Sequence, residues 1–403
     1  MKDGWKMKKL GEVCLFENGD RGENYPSKSV QTTSGVPFIN AGHLTDFGID
    51  YQTLNFIPRE RFDLLGNGKI RKNDILFCLR GSLGKFACVG ELSEGAIASS
   101  LVIVRPCKSV LKSYVLAYFQ SDLCAEMISK FKNGAAQPNL SAGNLKEFKI
   151  PLPALPEQQR IVAILDEAFE GIATAKANAD KNLKNARQLF ESHLNSVFSQ
   201  RGEGWVEKTL GDTAKVKGGK RVPKGYQLST NQTDFPYIRV TDFTDNGSID
   251  MGDLRYISAD VHNKIKNYVI YSEDLYISIA GTIGKTGIIP DELNGSNLTE
   301  NACRLAFKPG LSNRFVYYFT LTSSFIEQAG VNTRTAAQPK LALSRLSTIK
   351  LGVPSVQAQQ RLVDDFDALC EETQRLESIY QKKIDALDAL KKSILQKAFS
   401  GEL

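Results

Sequence analysis

Apolar residues follow two different spacings along the chain, and stretches with these spacings alternate. Short apolar runs such as "DILFCL" (74–79) and "DLYISI" (274–279) are bounded by glycines and polar turns, which is typical of strands. Longer stretches, beginning near residues 155 and 353, carry apolar residues at alternating spacings of three and four. Such a pattern predicts helices that pair along an apolar seam.

Each of the two predicted helices runs for about 40 residues, or ~60 Å at 1.5 Å per residue. The first seam comprises Leu165, Phe169, Ile172, Ala179, Leu183, Ala186, Phe190, Leu194 and Val197. The second comprises Phe366, Leu369, Thr373, Leu376, Tyr380, Leu387, Leu390 and Ile394, with Lys383 at the one skipped position. Because the two stripes are long and occupy matching places, we expect the helices to pack on each other.

The sequence contains a tandem duplication with an offset of 199 to 201 residues. "WKMKKLGE" from Trp5 returns as "WVEKTLGD" from Trp205, and "AAQPNLS" from Ala135 returns as "AAQPKLA" from Ala336. An internal repeat of this kind organises the whole chain. The predicted segments are a first head at 1–154, a helical spacer at 155–204, a second head at 205–352 and a C-terminal spacer at 353–403.

The predicted fold class is therefore α+β. Two repeated mixed α/β domains are separated by two long helices, which form an antiparallel coiled coil with pseudo-twofold symmetry. The two copies are nearly interchangeable, so a fragment of about one repeat is expected to pair with itself.

The positive charge of the chain is concentrated in the heads. The formal net charge is +6, and the segment sums are +5 for 1–154, +4 for 205–352, −1 for 155–204 and −2 for 353–403. This distribution favours heads that meet a polyanion such as DNA, with helices that do not. A modest excess of lysines also keeps a domain soluble, so charge alone leaves both interpretations open.

Composition argues against a membrane or metal-dependent role. No apolar run reaches the length of about 18 residues that a membrane span requires, and the first ten residues lack the apolar stretch of a secretion signal. The seven cysteines form no C-x-x-C pair, and the three histidines are far apart in sequence. We expect reduced thiols, no metal site and a cytoplasmic location.

Two glycine–lysine motifs, GSLGK at 81–85 and GTIGK at 281–285, look like the end of a nucleotide-binding loop. That loop needs an earlier glycine, and this chain has Leu79 and Ile279 there. We predict tight hairpin turns instead, with Lys85 and Lys285 projecting from the tips. Each lysine either contacts a DNA phosphate or is surrounded by solvent, and the sequence does not decide between the two.

Two further segments are candidates for DNA contact. The loop "GGKRVPKGY" at 218–226 carries three cations and directly follows a fourth, Lys217, as a phosphate clamp would, although a solvated loop has the same composition. The A-A-Q-P segments place amide and guanidinium groups that suit adenine and guanine. Their prolines, Pro138 and Pro339, are expected first of all to begin short helices. The candidate DNA-binding residues are Arg21, Lys28, Arg80, Lys85, Gln137, Lys217, Lys220, Arg221, Lys224, Lys285, Arg334 and Gln338.

These motifs together are similar to those of the specificity (S) subunits of type I restriction–modification systems. The duplicated W-x₄-L-G-[DE] opening, the G-[ST]-[LI]-G-K turns, the A-A-Q-P segments and "IPLPALPEQQRIV" (150–162) carry the resemblance, which covers essentially the whole chain. It implies two target recognition domains that each read half of a split, asymmetric DNA site. It also implies a coiled coil that sets the spacer and docks two methyltransferase subunits.

The resemblance implies that this chain binds no cofactor itself. S-adenosylmethionine would belong to the methyltransferase partners, which methylate adenine, and ATP and Mg to restriction subunits. An enzymatic role for the chain is disfavoured, because it contains no Pro-Pro pair for an amino-methyltransferase motif and no credible Ser/His/Asp set. The alternative function is a two-headed coiled-coil scaffold that binds only protein.

Overall fold

The computed structural model describes residues 2–46, 48–133, 138–330 and 340–403. Contacts divide the chain into two units, Met1–Ala179 with Lys382–Leu403, and Asp180–Gln381. Each unit therefore combines one head with a part of each long helix.

The first head consists mainly of short strands. They are β1 (Lys6–Lys9), β2 (Cys14–Asn18), β3 (Val36–Ile39), β4 (Asn55–Ile57), β5 (Ile75–Cys78), β6 (Phe86–Cys88), β7 (Ala96–Ile97), β8 (Leu101–Pro106) and β9 (Lys149–Leu152). Its helices are α1 (Leu10–Val13), α2 (Arg59–Asp63), α3 (Lys112–Gln120), α4 (Asp122–Phe131) and α5 (Ala142–Lys146), and the long helix α6 (Leu155–Ser199) follows.

The second head repeats this order. Its strands are β10 (Val206–Thr209), β11 (Ala214–Gly218), β12 (Pro236–Ile238), β13 (Arg255–Tyr256), β14 (Val269–Ile270), β15 (Leu275–Ser278), β16 (Thr286–Gly287), β17 (Ser296–Leu298), β18 (Ala302–Phe307) and β19 (Lys350–Val353). Its helices are α7 (Leu210–Thr213), α8 (Ala259–Ile265), α9 (Asn313–Thr320), α10 (Ser323–Ala329) and α11 (Leu343–Thr348), followed by the long helix α12 (Val356–Ser400).

An antiparallel four-stranded sheet forms the centre of each head, in the order β2-β8-β5-β6 and, in the second head, β11-β18-β15-β16. The predicted apolar strands become β5 and β15, whose residues are all buried. One face of each sheet packs against the helix pairs α3–α4 and α9–α10. A smaller sheet, built around the parallel pairs β3–β7 and β12–β17, completes each head. The mixed α/β prediction is confirmed.

The long helices run antiparallel in each unit. In the first unit Phe169 of α6 lies 4.7 Å from the Lys391 ammonium of α12, and Lys176 contacts Asp388. In the second unit Arg187 contacts Glu377, and the Phe198 and Phe366 rings stack at 5.8 Å. As the number rises along α6, the number of the contacted residue falls along α12.

The predicted seam of α6 is correct, and that of α12 is correct except at positions 383 and 390, which are exposed. Leu390 is 47% exposed, while Ile384, Leu395 and Ala398 are buried. From Tyr380 the inward positions follow the 3.6-residue period of a straight helix, whereas the prediction kept the strict 3–4 alternation of a coiled coil. Lys391 consequently lies in the seam.

A buried glutamine fixes the start of each long helix to its head. Gln158, which is fully buried, accepts a hydrogen bond from the Leu111 amide at 2.9 Å and donates to the carbonyls of Ser109 and Pro153. Gln359 makes the equivalent three bonds, to Ser312, Gly310 and Pro354. The amide group thus uses both of its N–H donors and its oxygen to bind backbone groups on two sides.

A buried ion pair joins the start of β5 to β8, and another joins the start of β15 to β18. The arginine of the pair occupies a different position on β8 than on β18. The Arg105 guanidinium lies 2.8 Å from Asp74, and Arg304 pairs with Asp274. Arg105 lies opposite Leu15 of β2 in the sheet. Arg304 lies opposite Lys217 of β11, two residues beyond Lys215, which is the repeat equivalent of Leu15. The two heads therefore conserve the charge pair without conserving its place in the strand.

We expect Gln359→Leu to lower the free energy of unfolding by about 3 kcal/mol, because it leaves buried backbone groups without partners. Gln360→Leu is the matched control, since Gln360 is exposed and bonds only to Asp364 in the described part of the chain. Urea unfolding followed by tryptophan fluorescence measures both variants. Equal midpoints for the two would contradict the proposed clamp.

Candidate nucleic-acid interface

The predicted GSLGK turn is the hairpin between β5 and β6. Gly81 and Gly84 adopt φ values of 81° and 83°, which favour glycine. The amide of Cys78 donates to the Lys85 carbonyl at 2.7 Å, and the amide of Gly84 donates back to Cys78 at 3.1 Å. The hairpin prediction is confirmed in the first head.

The GTIGK turn between β15 and β16 has the same form. Gly281 and Gly284 have φ values of 77° and 89°, and the amides of Gly284 and Lys285 bond to the Ser278 carbonyl and hydroxyl. Amides that already close the hairpin are not available to surround a phosphate. The geometry therefore agrees with the sequence in rejecting a nucleotide loop.

The segment that follows each A-A-Q-P motif lies beside its hairpin. The Leu140 amide donates to the Leu79 carbonyl at 2.9 Å, and the Leu341 amide donates to Ile279 at 2.9 Å. Pro138 does not begin a helix, contrary to the prediction. The next residue, Asn139, pairs in a β-bridge, and α5 starts only after Ser141, whose hydroxyl caps it. Gln137, Arg334 and Gln338, as well as Pro339, lie outside the described residues.

The loop after β2, and its equivalent after β11, closes against the turn that precedes β8 or β18. A Cβ on Gly19 would lie 2.7 Å from the Ala98 carbonyl oxygen, and one on Gly219 would lie 2.0 Å from that of Thr299. Only glycine allows this approach. Beyond it, Arg21 donates to the Ser99 carbonyl and Arg221 pairs with Glu300 at 2.5 Å. Both heads thus hold an arginine at the same place.

These contacts bring three separate sequence motifs to one edge of each four-stranded sheet. In the first head this edge contains the end of β2, the start of β8 and the turn between β5 and β6. In the second head it contains the end of β11, the start of β18 and the turn between β15 and β16. In the first head it carries Arg21, Arg80 and Lys85, and in the second Lys217, Lys220, Arg221 and Lys285. We call this set of cations the basic edge of each head. Lys28 and Lys224 are exposed, and within the described ranges no polar contact ties either of them to the basic edge.

Lys285 does not project freely from its hairpin tip, contrary to the prediction. Its ammonium pairs with Asp245 at 2.6 Å and donates to the Phe243 carbonyl at 3.3 Å. The hydrogen bond and charge of Lys285 lower the pKa of Asp245. Lys85 has no ion pair with any described residue, so the two tips differ in their available charge.

An open groove of about 520 Å³ lies next to the basic edge of the second head. Its lining includes Arg221, Arg239, Glu300, Asn301 and Tyr226. Of these, only Arg221 is among the predicted DNA-binding residues, although Tyr226 lies in the candidate loop 218–226. The available signal was a difference between the copies, because Ser99 and Ser100 stand in the first head where Glu300 and Asn301 stand in the second.

Charge pairs hold the groove side chains in place. Burial acts to raise the pKa of Glu300, but hydrogen bonds from Arg221, the backbone and Thr299 outweigh it, and the net pKa is lowered. Arg239 contacts Asp242 at 2.5 Å and Asp253 at 3.1 Å, and the bond to Asp242 is the main cause of its raised pKa. Glu300 therefore remains an anionic acceptor at neutral pH.

Other kinds of site find no support in the described residues. None of their His, Cys, Asp and Glu side chains cluster in a set of three or more suited to a metal ion. Among the helices of the same ranges, none combines the length and apolar character of a membrane span.

Comparison with known proteins gives a consistent result. A family model of the type I restriction modification DNA specificity domain matches residues 2–184 and again 202–385. The chain is similar to the type I restriction enzyme StySPI specificity subunit of Salmonella potsdam, with 23% identity over 100% of this chain and 90% of that protein. The EcoKI specificity subunit of Escherichia coli (strain K12) is 21% identical over 100% of this chain and 90% of its own length.

Solved structures share the fold. One, from a study of complex assembly and conformational transition of the type I R-M system, has a TM-score of 0.84 at 19% identity, covering 100% of this chain and 99% of that chain. The HsdS subunit from Thermoanaerobacter tengcongensis has a TM-score of 0.59 at 19% identity, covering 100% and 98%. Since the family model matches both repeats and most of the chain, this protein belongs to the type I restriction–modification DNA specificity family.

Proposed function

We propose that this chain is the non-catalytic, DNA-binding specificity subunit of a type I restriction–modification complex. Each head would read one half of a bipartite, asymmetric site. The observation that carries this proposal is the basic edge, which gathers cations from separate motifs at the same place in both heads.

Equivalent backbones with unlike side chains support two different half-sites. Asp20 and Lys220 occupy the same position next to the close-approach glycine, and so do Asn40 and Arg239 at the end of β3 and β12. Arginine suits the O6 and N7 atoms of guanine, and a glutamate such as Glu300 accepts from the amino group of cytosine. Lysines such as Lys220 suit phosphate contacts, which position the protein without specifying sequence.

The long helices would set the unread spacer and dock two methyltransferase subunits. In this proposal S-adenosylmethionine binds to those partners, and ATP and Mg bind to restriction subunits in the full complex. The contribution of this chain is recognition and placement, which needs no bound cofactor.

Salt titration separates DNA reading from the alternative function, a scaffold that binds only protein. If about six phosphates are neutralised, affinity for target DNA falls by about 10³-fold between 50 and 200 mM salt. Fluorescence anisotropy of the chain with its methyltransferase subunit measures this slope. No measurable DNA binding even at 50 mM salt would favour the scaffold.

Arg21→Ala and Arg221→Ala form a matched pair, because the two arginines occupy equivalent positions in the two heads. We expect each change to weaken discrimination at one half-site by about 1–3 kcal/mol, since a base-edge contact is lost.

The measurement is single-molecule sequencing of methylated adenines after co-expression with a methyltransferase subunit of the same restriction–modification system. Wild type should give a split motif with a fixed gap that disappears when this chain is omitted. Each variant should relax a different half of that motif. Both variants relaxing the same half, or each relaxing both halves, would contradict independent reading by the heads.

A further inference from the structure

Two ion pairs connect the long helices along the exposed flank of their seam. In the first unit the Lys176 ammonium lies 2.7 Å from Asp388, and in the second the Arg187 guanidinium lies 2.7 Å from Glu377. Helix α6 supplies both cations and α12 supplies both anions. These are the positions at which paired helices choose their partners.

The repeat relates these two pairs to each other with their charges reversed. At an offset of 201 residues, Lys176 corresponds to Glu377, and Arg187 corresponds to Asp388. If the duplicated copies had kept their charges, positions 176 and 377 would carry the same charge, and so would positions 187 and 388. The two copies have therefore diverged in charge at the positions that meet across the seam.

At the two ends of the seam the apolar contacts do not distinguish the helices. Leu165 of α6 packs in the same core cluster as Phe399 of α12, and Phe198 stacks on Phe366. In the repeat Leu165 corresponds to Phe366 and Phe198 to Phe399. An α6–α6 pair or an α12–α12 pair would thus also bring apolar residues together at these points.

The charges would oppose such self-pairs. If two α6 helices paired with the observed register, Lys176 of one copy would face Arg187 of the other, because Arg187 is the repeat equivalent of Asp388. In an α12–α12 pair Glu377 would face Asp388. Each self-pair would contain two like-charge contacts in place of two attractive ones.

We propose that these four side chains form a pairing code that admits α6 only with α12. The interaction surface is the charged flank of the seam, and its partner is the helix of the other repeat rather than a second copy of the same repeat. This revises the expectation that a one-repeat fragment pairs with itself. If the proposed DNA function also holds, the code keeps one head of each kind in every assembly.

The size of the selectivity follows from the number of altered contacts. An exposed ion pair changes an association constant by about 1.4- to 5-fold. Exchanging two mixed pairs for one self-pair of each kind removes four attractions and adds four repulsions. Even at the weak end these changes compound to about fifteen-fold in favour of mixed pairing.

The test uses the full chain, cut after folding. A protease site replaces residues 200–204, which lie between Ser199 and Trp205, so that the intact protein folds before it is cut into halves. Native mass spectrometry then distinguishes mixed pairs from self-pairs by mass. Mixing isotopically labelled and unlabelled cut protein until labelled halves have exchanged ensures that the populations are at equilibrium.

The decisive variant is the double substitution Arg187→Glu with Glu377→Arg. It keeps an opposite-charge pair at both contacts of the native chain, so the thermal midpoint of the uncut protein should stay at its wild-type value. Each helix becomes complementary to itself, because position 176 is then opposite in charge to position 187, and position 377 to position 388. The control Glu372→Arg with Arg375→Glu reverses an exposed pair within α12 and leaves the contacts between the helices unchanged.

Wild type and control should give mixed pairs in at least about eightfold excess over either self-pair, against about twofold for statistical pairing. The double variant should approach the statistical proportions, with both self-pairs present. Self-pairs of wild-type halves at statistical levels would overturn the proposal, and so would a double variant that remains exclusively mixed. These outcomes do not depend on DNA binding, so they stand apart from any failure of the proposed function.

Discussion

The packing of both units depends on one buried amide group at the start of each long helix. Gln158 and Gln359 are 0% and 1% exposed, and each bonds to the loop before α3 or α9 and to the carbonyl that precedes the helix. A buried amide in this position must satisfy its donors and acceptor at once, which fixes the helix in rotation as well as position. Because the rotation of the helix is fixed at its start, this constraint also sets which way the seam residues further along the helix face.

The basic edge depends on a second constraint, the close approach of Gly19 and Gly219 to a neighbouring backbone. Since the glycine can be replaced only by moving the chain, the loop path is the same in both heads while its side chains differ. Fixed backbones with variable side chains are a suitable basis for recognition, because a change of side chain alters the chemistry without altering the frame. The pairs Asp20/Lys220 and Ser99/Glu300 are variations of this kind.

The sequence predicts the parts of this fold that depend on local pattern and on repetition. The strands β5 and β15, the glycine turns and the seam of α6 follow from spacing alone. Other features depend on distant partners. Lys285 meets Asp245, 40 residues earlier, and the change from Arg105 to Arg304 shifts a buried charge along its strand. Positions 383 and 390 of α12 are wrongly placed in the seam because a 3.5-residue and a 3.6-residue period diverge only after several turns.

A duplicated helix can pair with a second copy of itself, and the reversed charges on the long helices oppose this self-pairing. Two repeats with apolar residues at both ends of their seams can pair in three ways, and hydrophobic contact at these ends is too non-directional to choose among them. Changing the seam would weaken its packing, whereas changing charges on its exposed flank leaves the core intact. The reversal at Lys176/Glu377 and Arg187/Asp388 stabilises one arrangement and destabilises both others with the same four side chains. Selectivity against self-pairing thus arises from residues whose individual contribution to stability is small.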